Sequence, residues 1–193
     1  MDRDCELALV ERVRGGDTAA FDAIHAAFNA RLFGFLARLA RSRDVAEDLL
    51  EETWLRFVTH ADQLRSDTRL GPWLFTVARN VHVSYCRSRA LESRGAATLS
   101  LWPAGCPESP FELAAGSELE RRIEAALADL PIDAREAMLL VGVESMTPSE
   151  AAAVCGISPE AMRQRLRRAR GLLAERLAEA GERPIARLRE VKP

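Results

Sequence analysis

The sequence predicts an all-α protein made of two small helical domains joined by a flexible linker. Three observations predict it. Helix-start signatures recur along the 193 residues, the apolar residues between them repeat at the helical period, and no stretch alternates as a half-buried strand would.

The elements follow in order. A first helix covers roughly Cys5 to Arg14 and stops at Gly15-Gly16. A second begins near Asp17 and buries Phe21, Ile24, Phe28, Leu32, Phe35, Leu36 and Leu39, a stripe close to the helical period. Asp44 and Glu47 predict a capping box for a third, whose apolar set is Leu49, Leu50, Trp54, Phe57 and Val58. After a polar stretch from Ala61 to Arg69, a fourth helix runs from about Gly71-Pro72 to Arg89, closing a domain of residues 1–91.

Residues 92–116 then change in texture. Gly95, Pro103, Gly105, Pro107 and Pro110 fall among serines with no sustained period, which reads as a linker. Ser117 with Glu120, and Asp133 with Glu136, predict two further helices of a second domain, 117–180. The tail, 181–193, reads as short and loose after Gly181.

Within the second domain, Thr147-Pro148 with Glu150 opens one short helix, and Gly156-Ile157-Ser158 breaks it. Ser158-Pro159 repeats the cap-plus-proline start of the next. Gly156 suits the left-handed residue that ends a helix, and Ala152 lets the pair pack closely. Met162, Leu166, Ala169 and Leu173 form the inward stripe of the second helix; Gln164, Arg167 and Arg168 point away, with Arg163 on the flank. Residues 159–176 hold six arginines and two glutamates, a local surplus of four positive charges. A helix-turn-helix with so basic a second helix is built to enter a DNA groove, where forked guanidinium donors match guanine edges and phosphates.

Composition bounds the rest. Hydrophobic content of 48% is enough for real cores, and no apolar run approaches membrane-spanning length. The start, Met-Asp-Arg-Asp-Cys-Glu, lacks the layout of a signal peptide, so a cytoplasmic protein is expected. Cys5, Cys86, Cys106 and Cys155 show no paired spacing. Net charge is only −2, modest for a DNA binder, so free affinity for DNA should be weak. His82 and Cys86 stand i, i+4 on one predicted helix, but with His25 and His60 far off they read as packing and not as a metal site. Nothing is arranged for bond chemistry; a binding protein without cofactor is expected, not an enzyme.

The first domain carries two contrasting surfaces. Asp44, Glu47, Asp48, Glu51 and Glu52 place five carboxylates within nine residues, answered by Arg43 and Arg56. Such a face repels DNA and suits a basic protein partner. Next come Trp73, Phe75, Arg79, Asn80, His82, Tyr85, Arg87 and Arg89, aromatic and basic residues interleaved on one helix. Stacking rings with phosphate-binding arginines are what separated strands require, although Trp73, Val77, Val81 and part of Tyr85 equally fit an ordinary core.

Three stretches carry a family resemblance: DVAEDLLEETWLRF, GPWLFTVARNVHVSYCRSR and LPIDAREAMLLVGVESMTPSEAAAVCGISPEAMRQRLRRAR. In that order and separation they resemble the extracytoplasmic-function group of bacterial RNA polymerase sigma factors, over nearly the whole chain. The resemblance implies that Asp48, Leu49, Glu51, Glu52 and Leu55 dock on the coiled coil of the largest subunit of core RNA polymerase. It places Leu64, Arg65, Thr76, Arg79, Asn80, Val83 and Arg87 at the surface that binds and opens the minus-ten promoter element. It places Arg163, Gln164, Arg167 and Arg168 at the minus-thirty-five element, and implies an anti-sigma factor that holds the protein inactive.

The chain departs from the family pattern at Glu51, where glutamine is usual, at Ser84, where aspartate is common, and at Glu160-Ala161-Met162, where Gly-Thr-Val is usual. Glu160 is expected to weaken contact with nearby phosphates. The implied mechanism uses polymerase to set the distance between two weak readers. The 25-residue linker could reach about 85 Å at roughly 3.4 Å per residue, against a free-coil span of about 27 Å. Trapping an unstacked base near Asn80 would assist melting. Two other readings fit the helix-turn-helix: a ligand-sensing transcriptional regulator, which has no need of the acidic face, and a sigma-like decoy that binds an anti-sigma factor and not DNA.

Overall fold

The computed structural model describes residues 3–65, 68–92 and 117–189, with side chains over 5–65, 68–91 and 117–179. Residues 93–116, all of the predicted linker but Glu92, and residues 190–193 lie outside the described residues. Every regular element among the described residues is a helix, and the helices group into two compact units.

The first unit contains α1 (Arg3–Arg14), α2 (Thr18–Ala40), α3 (Arg43–His60), a short 3-10 turn at Ala61–Gln63, and α4 (Leu70–Glu92). Gly16 takes φ +82 at the α1–α2 corner, and Asp17 caps α2 by accepting from the amides of Ala19 and Ala20 at 2.9 and 3.3 Å. Arg12 donates to the same carboxylate at 2.8 Å and, with those amides, holds the Asp17 pKa below its ordinary value. A lowered pKa means this cap is in force above the unfolded carboxylate range and is lost only as pH falls through the lowered value.

Ser42, not Asp44, caps α3, its hydroxyl accepting from the Val45 amide at 3.5 Å. The reason is local. Arg41 turns left-handed at φ 55 and leaves Ser42 extended, while Glu47, the expected partner in the box, is taken by Arg43 at 2.9 Å.

Phe35, Phe57, Phe75, Ile24, Leu32, Leu36, Leu39, Leu70 and Leu74 are essentially fully buried and make the core of this unit. Phe57 lies at its centre, with ring centroids 5.9 Å from both Trp54 and Trp73 and 6.1 Å from Phe21. Trp54 donates its indole N–H to Asn29 Oδ1 at 2.9 Å, so its polar edge is satisfied where the ring is buried. Val58, one of the apolar set of α3, is 57% exposed.

The second unit comprises α5 (Glu118–Ala128), α6 (Ile132–Met138) with a π-helical continuation at Leu139–Val143, α7 (Pro148–Cys155) and α8 (Pro159–Arg189). The Ser117–Glu120 capping box is present in both directions, at 3.2 and 2.6 Å. The Asp133–Glu136 box is not. Asp133 accepts from the adjacent Ala134 amide at 2.9 Å, and Glu136 is fully buried and directed at Arg165. A wholly buried carboxylate needs a cation more than a helix start needs a second cap.

Arg135, also buried, donates to the carbonyls of Leu127 and Leu130 at 3.0 Å each and to that of Ala128. It thereby satisfies the open carbonyl end of α5. Leu127, Leu130, Ala134 and Ala169 form a core cluster flanked by Ile123, Met138, Leu172 and Leu173. Past Gly181, where a loose tail was expected, α8 continues helically to Arg189.

Replacing Phe57 with Ala is expected to destabilise the first unit by about 3–5 kcal/mol, as for other large-to-small core changes. Urea unfolding followed by tryptophan fluorescence measures it, since Trp54 and Trp73 adjoin the lost ring.

Candidate nucleic-acid interface

On α8 the burial pattern separates two faces cleanly. Met162, Leu166 and Ala169 are buried, while Glu160, Arg163, Gln164, Arg167, Arg168 and Arg170 are exposed. At about 100° per residue, Glu160, Arg163, Gln164, Arg167 and Arg168 fall within one outward arc. All four predicted readers are therefore presented together. The geometry leading into them is as expected. Thr147 and Glu150 form a reciprocal cap at 2.8 and 3.2 Å, Gly156 takes φ +67, and the Ser158 hydroxyl accepts from the Ala161 amide at 3.1 Å.

Two details of this helix were not foreseen. Glu160 stands in the middle of the outward arc and accepts from Arg163 Nε at 3.1 Å, so one predicted reader is held by a carboxylate. Arg165, counted with the basic run, turns inward; its side chain is 19% exposed and faces Asp133 and Glu136.

On α4, Thr76, Arg79, Asn80, Val83 and Arg87 stand i, i+3, i+4, i+7 and i+11 and share one outward strip. Asn80 and Arg87 are exposed and the other three half-buried. The Thr76 hydroxyl donates to the Pro72 carbonyl at 2.8 Å. The opposite strip, with Leu74, Phe75, Ala78, Val81, His82 and Cys86, is buried. Phe75 is thus core and not a stacking platform, and the His82 ring nitrogen lies 3.6 Å from Cys86 Sγ as a buried contact pair. Arg65 is exposed just ahead of this helix. Leu64, predicted beside it at the same surface, is 4% exposed and packs into the core after the Ala61–Gln63 turn, so it is not part of the outward surface.

The acidic surface lies on α3. Asp44, Glu47, Asp48 and Glu51 are exposed and Glu52 is half-buried, with Arg43 and Arg56 pairing Glu47 and Glu52 at 2.9 and 2.7 Å. Leu55 is exposed among them as expected. Leu49 is not; it is 6% exposed and faces inward with Ala46, Thr53 and Phe57, so it supports the surface from behind. Val58, three residues on from Leu55, joins that exposed apolar strip instead. Its spacing from Leu55 was the available signal.

Comparison with known proteins decides what these surfaces belong to. Residues 24–92 match the family model for sigma-70 region 2, and residues 120–173 match that for sigma-70 region 4. The chain is 35% identical over 171 residues to RNA polymerase sigma factor CarQ of Myxococcus xanthus, covering 88% of this chain and 96% of that protein. It belongs to the extracytoplasmic-function group of RNA polymerase sigma factors.

A second relative, the ECF sigma factor EcfG of Rhodopseudomonas palustris (strain TIE-1), is 34% identical over 148 residues, 74% of this chain and 77% of its own. Among solved structures, the sigma factor RpoE of Bartonella quintana, in complex with the anti-sigma factor NepR, superposes with a TM-score of 0.68 at 29% identity. It covers 82% of this chain and 96% of that one. CnrH, in complex with the cytosolic domain of CnrY, has the same fold at a TM-score of 0.68 and 22% identity, over 91% and 98% of the two chains. As a sigma factor, the protein is a transcription initiation factor that acts with RNA polymerase on promoter DNA.

The Glu160–Arg163 pair makes a direct prediction for this sigma factor. An exposed ion pair of this type is worth about 0.2–1 kcal/mol. Changing Glu160 to Ala should free Arg163 and tighten binding to non-specific duplex by up to about fivefold at low salt. Fluorescence anisotropy with a labelled random-sequence duplex reads the effect.

Proposed function

We propose that this sigma factor divides its work among three helices. The acidic outer face of α3, with Asp48, Glu51, Glu52 and Leu55, docks on the coiled coil of the largest subunit of core RNA polymerase. The outward strip of α4, with Thr76, Arg79, Asn80, Val83 and Arg87, and Arg65 ahead of it, binds and opens the minus-ten element. The outer face of α8, with Arg163, Gln164, Arg167 and Arg168, reads the minus-thirty-five element. Residues 1–91 and 117–180 are then the two working domains, joined by 92–116.

The observation that carries this reading is the segregation of charge. A chain of net charge −2 gathers carboxylates on the outside of α3 and arginines on the outside of α8, each face clear of the core that supports it. Contact with the acidic face brings the basic readers to DNA only in company with polymerase, whose own contacts supply the missing affinity. A ligand-sensing regulator would have no use for the acidic face. The protein works by binding alone, with no catalytic group and no cofactor, and in the cytoplasm with its polymerase.

Regulation by an anti-sigma factor is part of the proposal. It is supported by the 29% identical solved relative whose structure holds such a partner. The apolar strip of Leu55 and Val58 gives a protein partner a place to compete with polymerase.

Promoter-directed transcription with purified core enzyme tests the reading: adding this chain should restore specific initiation, and transcription that stays non-specific would refute it. Within that assay, Asp48→Lys should abolish co-purification with core, and Arg168→Ala should lower output at least tenfold from promoters that need the upstream element. Such a loss corresponds to about 1.4 kcal/mol or more, within the range for one bidentate base contact.

A further inference from the structure

Arg165 differs from the arginines around it. Arg163, Arg167, Arg168 and Arg170 face solvent, whereas Arg165 is drawn against α6. Its Nε lies 3.8 Å from Asp133 Oδ2 and its Nη1 3.6 Å from Glu136 Oε2, so one guanidinium stands between two carboxylates of the neighbouring helix. Glu136 is fully buried, one of four buried polar or charged residues among those described. A charge placed there is held in the fold only if it is answered.

We propose that Arg165 is a positioning residue for promoter reading: it touches no DNA, and by bridging Asp133 and Glu136 it fixes the rotation of α8 about its own axis. The proposal rests on the assignment of α8 as the reader of the minus-thirty-five element. Apart from a hydrogen bond farther along, where Arg122 of α5 donates to the Leu177 carbonyl at 3.3 Å, the residues that α8 turns inward are apolar, chiefly Met162, Leu166, Ala169 and Leu173. Apolar contact is non-directional, and Ala169 against Ala134 offers little shape to resist turning. The charge pair is fixed in place: its contacts are too long for hydrogen bonds, but turning α8 would carry the guanidinium away from a buried carboxylate, and setting register is the best-attested use of a buried polar pair.

The amplitude needed is small. A rotation of about 20° moves a side-chain tip some 6 Å from the axis by about 2 Å. Hydrogen bonds to a base edge tolerate only a few tenths of an ångström. Which of Arg163, Gln164, Arg167 and Arg168 meets the groove therefore depends on how tightly the inward side of the same helix is indexed.

The support is itself anchored. Arg135, between the two carboxylates on α6, donates to the carbonyls of Leu127, Ala128 and Leu130 at the end of α5. Helix α6 is thus fixed on one side through an arginine of its own, and on the other it receives the arginine of α8.

The test uses the full chain with core polymerase. A promoter duplex selected by the native holoenzyme from a randomised pool is compared with the same duplex carrying a scrambled upstream element. The informative variant is the double replacement Arg165→Met with Glu136→Leu, which removes both charges of the pair together and keeps apolar volume. Its thermal unfolding midpoint should match that of the native chain, while discrimination between the two duplexes falls about tenfold. The slope of log affinity against log salt should not change, because no phosphate contact is lost. Native discrimination would overturn the proposal, as would a slope reduced by about one, the mark of a phosphate contact.

If the midpoint of the double variant falls, Arg165→Lys carries the test, since lysine keeps the charge without the planar fork that spans two carboxylates. Reduced discrimination at unchanged slope supports positioning, and native discrimination refutes it. Arg168→Ala serves as the control on the underlying assignment: if that change also leaves discrimination intact, α8 does not read this element and both conclusions fall together.

Discussion

A charge cannot enter a protein core unless it is answered there, and that constraint bears on which arginines of α8 face outward. Glu136 is wholly buried, and the helix packed over it turns one cation toward it, at 3.6 Å. Arg165 is that cation. With Arg165 inward, the helical period leaves Arg163, Gln164, Arg167 and Arg168 no direction but outward. The proposed reading face is in this sense the complement of an inward ion pair, and the composition of one side of the helix is linked to the needs of the other.

The first unit solves a similar problem with rings in place of charges. Helix α4 buries Phe75, Val81, His82 and Cys86 on one strip and shows Asn80 and Arg87 on the opposite one. Phe57 on α3 sits among Trp54, Trp73 and Phe21, so the helices bearing the acidic face and the proposed melting face share one aromatic contact. Rigid rings packed edge to face define an angle between helices better than flexible chains do. Two surfaces of opposite charge can then stand on adjacent helices without either having to be soft.

Much of this was legible because it is local. The caps at Thr147–Glu150, Ser117–Glu120 and Ser158, and the left-handed Gly156, depend on residues within a single turn, and periodicity placed the stripes of α2 and α8. What escaped depends on neighbours far off in sequence. Leu49, Leu64 and Val58 each lie on the margin between a buried and an exposed strip, and apolar character does not say on which side of that margin a residue falls. Leu49 and Leu64 were placed at binding surfaces through the family resemblance, which marks a stretch of chain and not the direction of each side chain. Asp133 with Glu136 has the spacing of a capping box, but the fold assigns Glu136 to an arginine nearly thirty residues away. Arg165 was counted with the basic run for the same reason. Charge can be read from a residue's identity, whereas its direction belongs to the packing.

The weak overall charge becomes intelligible once binding is conditional. Glu160 stands inside the reading arc and occupies Arg163, and α3 adds a field that repels phosphate. Both features lower the affinity of the free chain for any duplex. A reader with millimolar affinity alone is of no use at cellular concentrations. Tethered beside its element by a docked polymerase, it meets an effective concentration that is itself about millimolar, and occupancy becomes appreciable without any new contact. Raising the charge of α8 would strengthen the readers, but it would also let the free chain settle on non-specific DNA, which is present in vast excess. On the proposed assignment of α8, a carboxylate among the arginines would tie promoter contact to possession of polymerase at the level of single side chains.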